Sequence, residues 1–324
     1  MIGTREQPVW GFVCGRISVL EGRLKGRELL LSLLSVENPE ELIPQLQDTI
    51  LGECLEPGAA GLDFHTLTER CLYDHILSIR ADSPGPLPAD LFLLHWDYLN
   101  LKNALLGTAP AGFSGGLVSQ ELIQEAARGD LSDLPAPMAE GAALAREHSD
   151  NDPALVDVIL DGAYLRHLLL LAPVLRAPIT EECTRGRVRA QAIGVLWRAI
   201  REKRPLGVYA RCFLPVGPFT PILSELLDNP TPENWPALVG GVYGDLLAEA
   251  LELPPDEQVA GFGLRAADLE VERSREARLQ TSTPDRVYAY LAAVTAEMQN
   301  LKLVVSGRMS RMEPAILRQR MRES

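Results

Sequence analysis

The 324-residue chain is 46% hydrophobic and 23% charged, ample material for a buried core and outside the range of a disordered polymer. Its 44 acidic against 31 basic side chains leave a formal net charge of −13. That is the wrong sign for gripping phosphate backbones, so nucleic acid is not an expected partner.

From Val9 to Leu34 the sequence reads as amphipathic helix, with Val13, Ile17, Leu20 and Leu24 on one stripe and Arg16, Arg23, Lys25 and Arg27 off it. Gly22 and Gly26 mark a bend or break. Asn38-Pro39-Glu40-Glu41 has the chemistry of a helix start, and the helix it opens should turn Leu42, Ile43, Leu46 and Ile50 inward. A helix over Leu62 to Ile79 buries Leu67, Cys71, Leu72 and Ile76, and Ser83-Pro84-Gly85-Pro86 ends it. Helices are predicted from Pro88 to Leu106 and from Val118 to Ala127, then a loop carries Pro135 and Pro137. Asn151-Asp152-Pro153 opens the next helix, to Leu171, and another runs from Ile179 to Glu202. Thr220 to Leu227, Thr231 to Leu251 and Ala266 to Leu279 follow, with a polar connector from Leu253 to Gly263. Thr283-Pro284-Asp285 caps the last long helix. Strand alternation and βαβ rhythm are missing, so the fold class is all-α.

That last helix repeats an earlier one. Leu91 matches Leu291, Asp97 stands for Glu297, Asn100-Leu101-Lys102 matches Asn300-Leu301-Lys302, and Gly107 matches Gly307, all at one offset. Helix periodicity accounts for the apolar residues, the Lys for the C-terminal dipole, and the Gly for a left-handed cap. It does not account for an interior Asn, whose amide competes for backbone hydrogen bonds. A middle copy falls on the Ile179 to Glu202 helix in degraded form: Ala192-Ile193-Gly194 occupies the Asn-Leu-Lys slot, and the closing glycine is absent or delayed to Gly207. Three related helical units are expected, over 9–130, 137–228 and 231–324.

Chemistry-bearing motifs are scarce. The five cysteines, Cys14, Cys54, Cys71, Cys183 and Cys212, include no Cys-x-x-Cys pair and read as usage in a reducing compartment. Met1 to Pro8 lacks a cationic start and apolar run, so no secretory signal is expected. The apolar stretch Ala163 to Leu175 is interrupted by Arg166, His167 and Pro173 and falls short of a membrane span. Gly240-Gly241-Val242-Tyr243-Gly244 lacks nucleotide-loop spacing and reads as a bend or close helix crossing. His65, His75, His95, His148 and His167 never fall at metal-ligand spacing, so no metal and no cofactor is expected. An enzyme built around His95 and Asp97 is the weakest reading. Arg308, Arg311, Arg318, Arg320 and Arg322 give an acidic protein a basic C-terminal block, read either as solvated helix-end cations or as a docking surface for an acidic partner.

Tyr288-Ala289-Tyr290, Glu297-Met298-Gln299-Asn300-Leu301-Lys302, and Gly307-Arg308 with Pro314, Ile316 and Arg318 to Arg322 resemble the closing signature of the C-type subunits of bacterial and archaeal V/A-type ATPases, the counterparts of the eukaryotic d-type subunits. Trp10-Gly11-Phe12-Val13-Cys14-Gly15-Arg16-Ile17 resembles that family's first helix, and Asp97-Tyr98-Leu99-Asn100-Leu101-Lys102 its first internal Asn-Leu element. The resemblance implies a pseudo-threefold funnel of three similar helical subdomains. It also implies a non-catalytic coupling piece, cytoplasmic and peripheral, seated between the central-shaft subunits and the membrane rotor ring, with membrane contact only through the ring. Arg16, Arg23, Asn100, Lys102, Gly107, Asn300, Lys302, Gly307 and Arg308 are the expected structural or interface positions. A helical scaffold for another partner is the alternative.

Overall fold

A computed structural model describes residues 9–36, 41–55, 63–108, 115–149, 152–214 and 216–322. The first helices are α1 (Gly11–Leu20), α2 (Gly26–Ser35), α3 (Phe64–Asp82), α4 (Leu87–Leu105), α5 (Gln120–Arg128), α6 (Ala136–His148), α7 (Pro153–Leu171) and α8 (Pro178–Arg201). A short α9 (Leu206–Val208) runs into a π-turn over Tyr209–Phe213. Then come α10 (Thr220–Asp228), α11 (Trp235–Val239), α12 (Gly241–Leu251), α13 (Gln258–Ser274), α14 (Pro284–Met309) and α15 (Pro314–Arg320). Among the described residues there is no strand, and the fold is all-α.

The chain forms two compact units. The first takes the residues up to Phe92, Leu175–Thr180 and those from Val271 onward; the second takes Leu93–Val174 and Glu181–Glu270.

The first unit is built around α14, which packs against α1, α2, α3 and α15. Its start is set locally: the Thr283 hydroxyl accepts from the Arg286 N–H and Pro284 opens the first turn. Val287, Tyr288, Tyr290, Leu291, Val294 and Leu301 are all buried, more than one stripe's worth, because neighbours cover the helix on several sides. Asp285 reaches Thr180 in the first turn of α8, accepting from its N–H at 2.8 Å and its hydroxyl at 2.7 Å.

The break expected at Gly26 is real, with φ +61 separating α2 from the turn Glu21–Arg23. Residues 38–40 of the next expected helix start lie outside the described residues. Beyond them Leu42, Leu46 and Ile50 are buried as expected, on two 3-10 turns, Ile43–Leu46 and Ile50–Cys54, instead of an α-helix. Pro44 supplies no N–H for a longer ladder, and Gly52 lies so close to the Gln47 carbonyl that a Cβ could not fit. Cys54 in the second turn is joined to Cys71 of α3 by a disulfide that the scattered spacings did not announce. Cys14, Cys183 and Cys212 are buried thiols outside that disulfide.

In the second unit α6 and α7 form a close pair. A Cβ at Gly141 would stand 2.5 Å from that of Ala163, so only glycine permits the approach. The sequence reading had no helix at α6, although Pro135 and Pro137 suit a helix start and Met138, Ala142 and Ala145 form its buried stripe. Asp152 caps α7 as expected, accepting from the Ala154 N–H; Asn151 lies outside the described residues.

Pro153–Leu175 is, by length and composition, apolar enough to cross a membrane, which the shorter Ala163 to Leu175 window missed. Half of its most apolar window is buried within the protein, where α7 packs on α6 and on the π-turn. The expected helix from Thr231 to Leu251 is split at Gly240 and Gly241, both at positive φ, and Gly244 sits against the Pro236 carbonyl, so the glycine cluster is the bend its composition suggested. Trp197, Trp235 and Phe262 fill the core nearby, the Trp197 ring centroid lying 6.2 Å from that of Trp235 and 6.1 Å from that of Phe262.

Candidate functional site

The recurring Asn residues are parts of clasps that hold backbone. On α4, Asp97 is only 1% exposed, and its Oδ1 accepts from the N–H groups of Leu117 at 2.6 Å and Val118 at 2.9 Å. One helical turn on, Asn100 donates to the Gly115 carbonyl. The two side chains fasten the segment entering α5, whose own cap is Ser119. Gly116 lies between them at φ +148, where a Cβ would collide with Asp97 Oδ1.

On α14 the pair grips two places. Glu297 accepts from the N–H groups of Lys25 at 3.2 Å and Gly26 at 2.9 Å, at the open end of α2. Asn300, 1% exposed, closes both backbone groups of Arg322: its Nδ2 donates to the carbonyl at 2.9 Å and its Oδ1 accepts from the N–H at 2.8 Å. Burial pushes the Glu297 carboxyl above its ordinary range, and the two backbone donors and the Lys25 charge pull it partly back.

The lysines two residues beyond each Asn bind carboxylates. Lys102 lies 2.5 Å from Asp157 and 2.6 Å from Asp161, successive positions on one face of α7. Burial works against its ammonium, and Asp161 with Asp157 outweighs burial, so it stays protonated above its ordinary range. Lys302 pairs with Glu69 of α3 at 2.9 Å.

The expected glycine caps divide. Gly107 closes α4 at φ +65 as a Schellman motif, with Thr108 N–H donating to the Asn103 carbonyl at 2.9 Å and Gly107 N–H to Ala104 at 3.2 Å. Gly307 is not a cap. It lies inside α14 and makes room for Leu317 of α15, whose methyls a Cβ would strike. The same cap motif closes α14 at Arg311, φ 57, through Met312 N–H to Gly307 and Arg311 N–H to Arg308. The middle helix closes at Lys203, φ 54, in the same way, so its ending is not delayed to Gly207. In the slot expected of a middle copy, Arg189 stands one turn before Ala192 where α4 and α14 have a carboxylate; it donates to the Val239 carbonyl at 2.9 Å and lies over the Tyr243 ring. A motif search keyed to Asp or Glu misses it.

Arg308 holds the chain beside this end of the molecule, donating to the Val36 carbonyl and to Met312. Arg16 donates to the carbonyl and hydroxyl of Ser78 and pairs with Asp82. Arg23 pairs with Glu53 at the exposed surface. The sequence reading missed Glu21, which bridges Arg286 at 2.6 Å and Arg278 at 3.1 Å. His95 is exposed and packs edge-on to Trp96 and Tyr164, while Asp97 is committed to its clasp. Among the described residues no group of three or more His, Cys, Asp or Glu could hold a metal ion.

His75 faces Tyr290 at 2.8 Å, and burial, with Arg16 and Arg23 adding to it, lowers its pKa from 6.5 to about 4. The folded chain therefore refuses a proton that the unfolded chain accepts. Stability is full above pH 6.5 and falls by roughly 3 kcal/mol as the pH drops through this window to about 4. Urea midpoints at pH 7.5 and 4.5 check this, and His75→Gln should flatten the difference. An undiminished pH slope in that variant would assign the loss to other groups.

A family model described as ATP synthase (C/AC39) subunit matches residues 13–320. No curated protein matches the chain.

Proposed function

The chain belongs to the ATP synthase (C/AC39) subunit family and so has a rotary ATPase role, and from that premise we propose that it is the non-catalytic coupling piece of the central rotor. In this reading three related helical subdomains present one face to the membrane rotor ring and receive the foot of the central shaft on the other. Torque then passes through the chain between ATP turnover and proton or sodium movement. It works at the cytoplasmic side of the membrane and touches the bilayer only through the ring.

The family match over 13–320 carries the proposal. The clasps support it physically. Asp97, Asn100, Glu297 and Asn300 spend their hydrogen bonds on the chain's own backbone, a use of buried polar groups that fixes geometry and suits a part that must transmit force without yielding.

Asn300→Ala tests the link between clasp and assembly. It orphans the Arg322 backbone and is expected to cost about 2 kcal/mol of stability, leaving a folded chain that co-sediments poorly with ATPase complexes from native membranes. Full co-sedimentation with unchanged helical circular dichroism would reduce the Asn to a packing detail.

A further inference from the structure

The segment from Arg308 to Arg322 carries five arginines against one glutamate, in a chain of net charge −13. It is also fastened in place. Leu317 is fully buried in the notch left by Gly307, Met321 is buried, and Asn300 holds the backbone of Arg322 from both sides. Arg308 is occupied with the Val36 and Met312 carbonyls. Arg311, Arg318 and Arg320 are exposed, and none of the three makes an ion pair among the described residues. Met309, 54% exposed, and Ile316, 40% exposed, lie on the same segment.

We propose that this fastened segment is a preorganised docking surface for an acidic polypeptide, with Arg311, Arg318 and Arg320 taking carboxylates while Met309 and Ile316 supply apolar contact. Guanidinium groups match carboxylates through paired N–H donors, and holding the backbone in advance removes ordering entropy from the binding step. Total charge decides against the other anionic surfaces. A body of charge −13 is repelled as a whole from an extended anionic bilayer or a nucleic acid. A local acidic segment meets the arginines within a Debye length of about 8 Å, where the patch outweighs the rest of the molecule. Favourable helix-end placement explains a cation at the close of α14 or α15, but that effect acts on stability and needs no partner. The inference rests on the assembly role only for where the partner resides.

The test uses the full chain, fluorescent poly-L-glutamate as the probe, and the variant R311E/R318E/R320E. Saturable binding by the wild type, weakened about tenfold or more by the triple reversal and abolished by high salt, is expected. Asn300→Ala should weaken it too, with the arginines intact but the hook released. No binding, or equal binding by the triple variant at an unchanged melting temperature, overturns the proposal, as does stronger retention on phosphatidylserine vesicles than on poly-L-glutamate. Rebinding to ATPase complexes stripped of this chain is measured in parallel. If the wild type binds poly-L-glutamate as expected yet fails to rebind any complex, the coupling role falls and the docking surface stands.

Discussion

Glu21→Ala is expected to destabilise the chain by about 3–5 kcal/mol, the largest single effect foreseen. Its two carboxylate oxygens engage different arginines, Oε2 with Arg286 and Oε1 with Arg278, and the Arg286 side chain is 7% exposed. Truncation leaves a buried guanidinium whose remaining side-chain hydrogen bond among the described residues is to the Ser18 hydroxyl at 3.3 Å. The cost is that of an uncompensated buried charge, not of the pair itself, so replacing both partners with apolar residues, Glu21→Leu with Arg286→Met, should recover much of it. Glu53→Ala provides the contrast. Its partner Arg23 and Glu53 itself are both exposed, at 45% and 53%, and an exposed pair contributes at most about 1 kcal/mol. Urea denaturation of the four proteins gives all the numbers needed.

Asp97→Ala should cost about 3 kcal/mol, because two backbone N–H groups lose a charged acceptor at once. Asp97→Asn keeps the shape and one acceptor oxygen and should cost about 1 kcal/mol. Hydrogen exchange locates the effect: the amides of Leu117 and Val118 should lose protection in the alanine variant while those of α14 keep theirs. Uniform loss across the chain would mean that Asp97 supports the whole core and not one clasp.

How far the fold could be read from the sequence varied with the range of the interaction. Thr283, Asp152 and Gly107 act on their own helix ends through neighbours a few residues away, and each does what its local chemistry indicates. Gly307 shows where such reasoning stops. Its match to Gly107 is sound as a pattern, but what requires glycine there is Leu317 from another helix, and sequence spacing does not report a steric contact between elements. Glu21 and Arg286 meet only after folding, and the Cys54 to Cys71 bond spans 17 residues with no motif to mark it.

The clasps fall between these cases. The interior Asn was visible as an anomaly of helix propensity. Its bond to Arg322 was not, since the partner is backbone, and backbone carries no sequence label. The expected middle copy is harder still to read: Arg189 of α8 grips a carbonyl where Asp97 of α4 and Glu297 of α14 grip N–H groups, so charge and residue type give no common motif to search for. An exposed interface would depend on surfaces of other subunits, about which a single chain's periodicity is silent.

The most direct measurement is affinity purification of the tagged full-length chain from gently solubilised native membranes, with the co-purifying chains identified by mass. The coupling role requires the ATPase head, shaft and ring subunits to co-purify with it in stoichiometric amounts. Recovery of the chain alone, or with unrelated proteins, would contradict it.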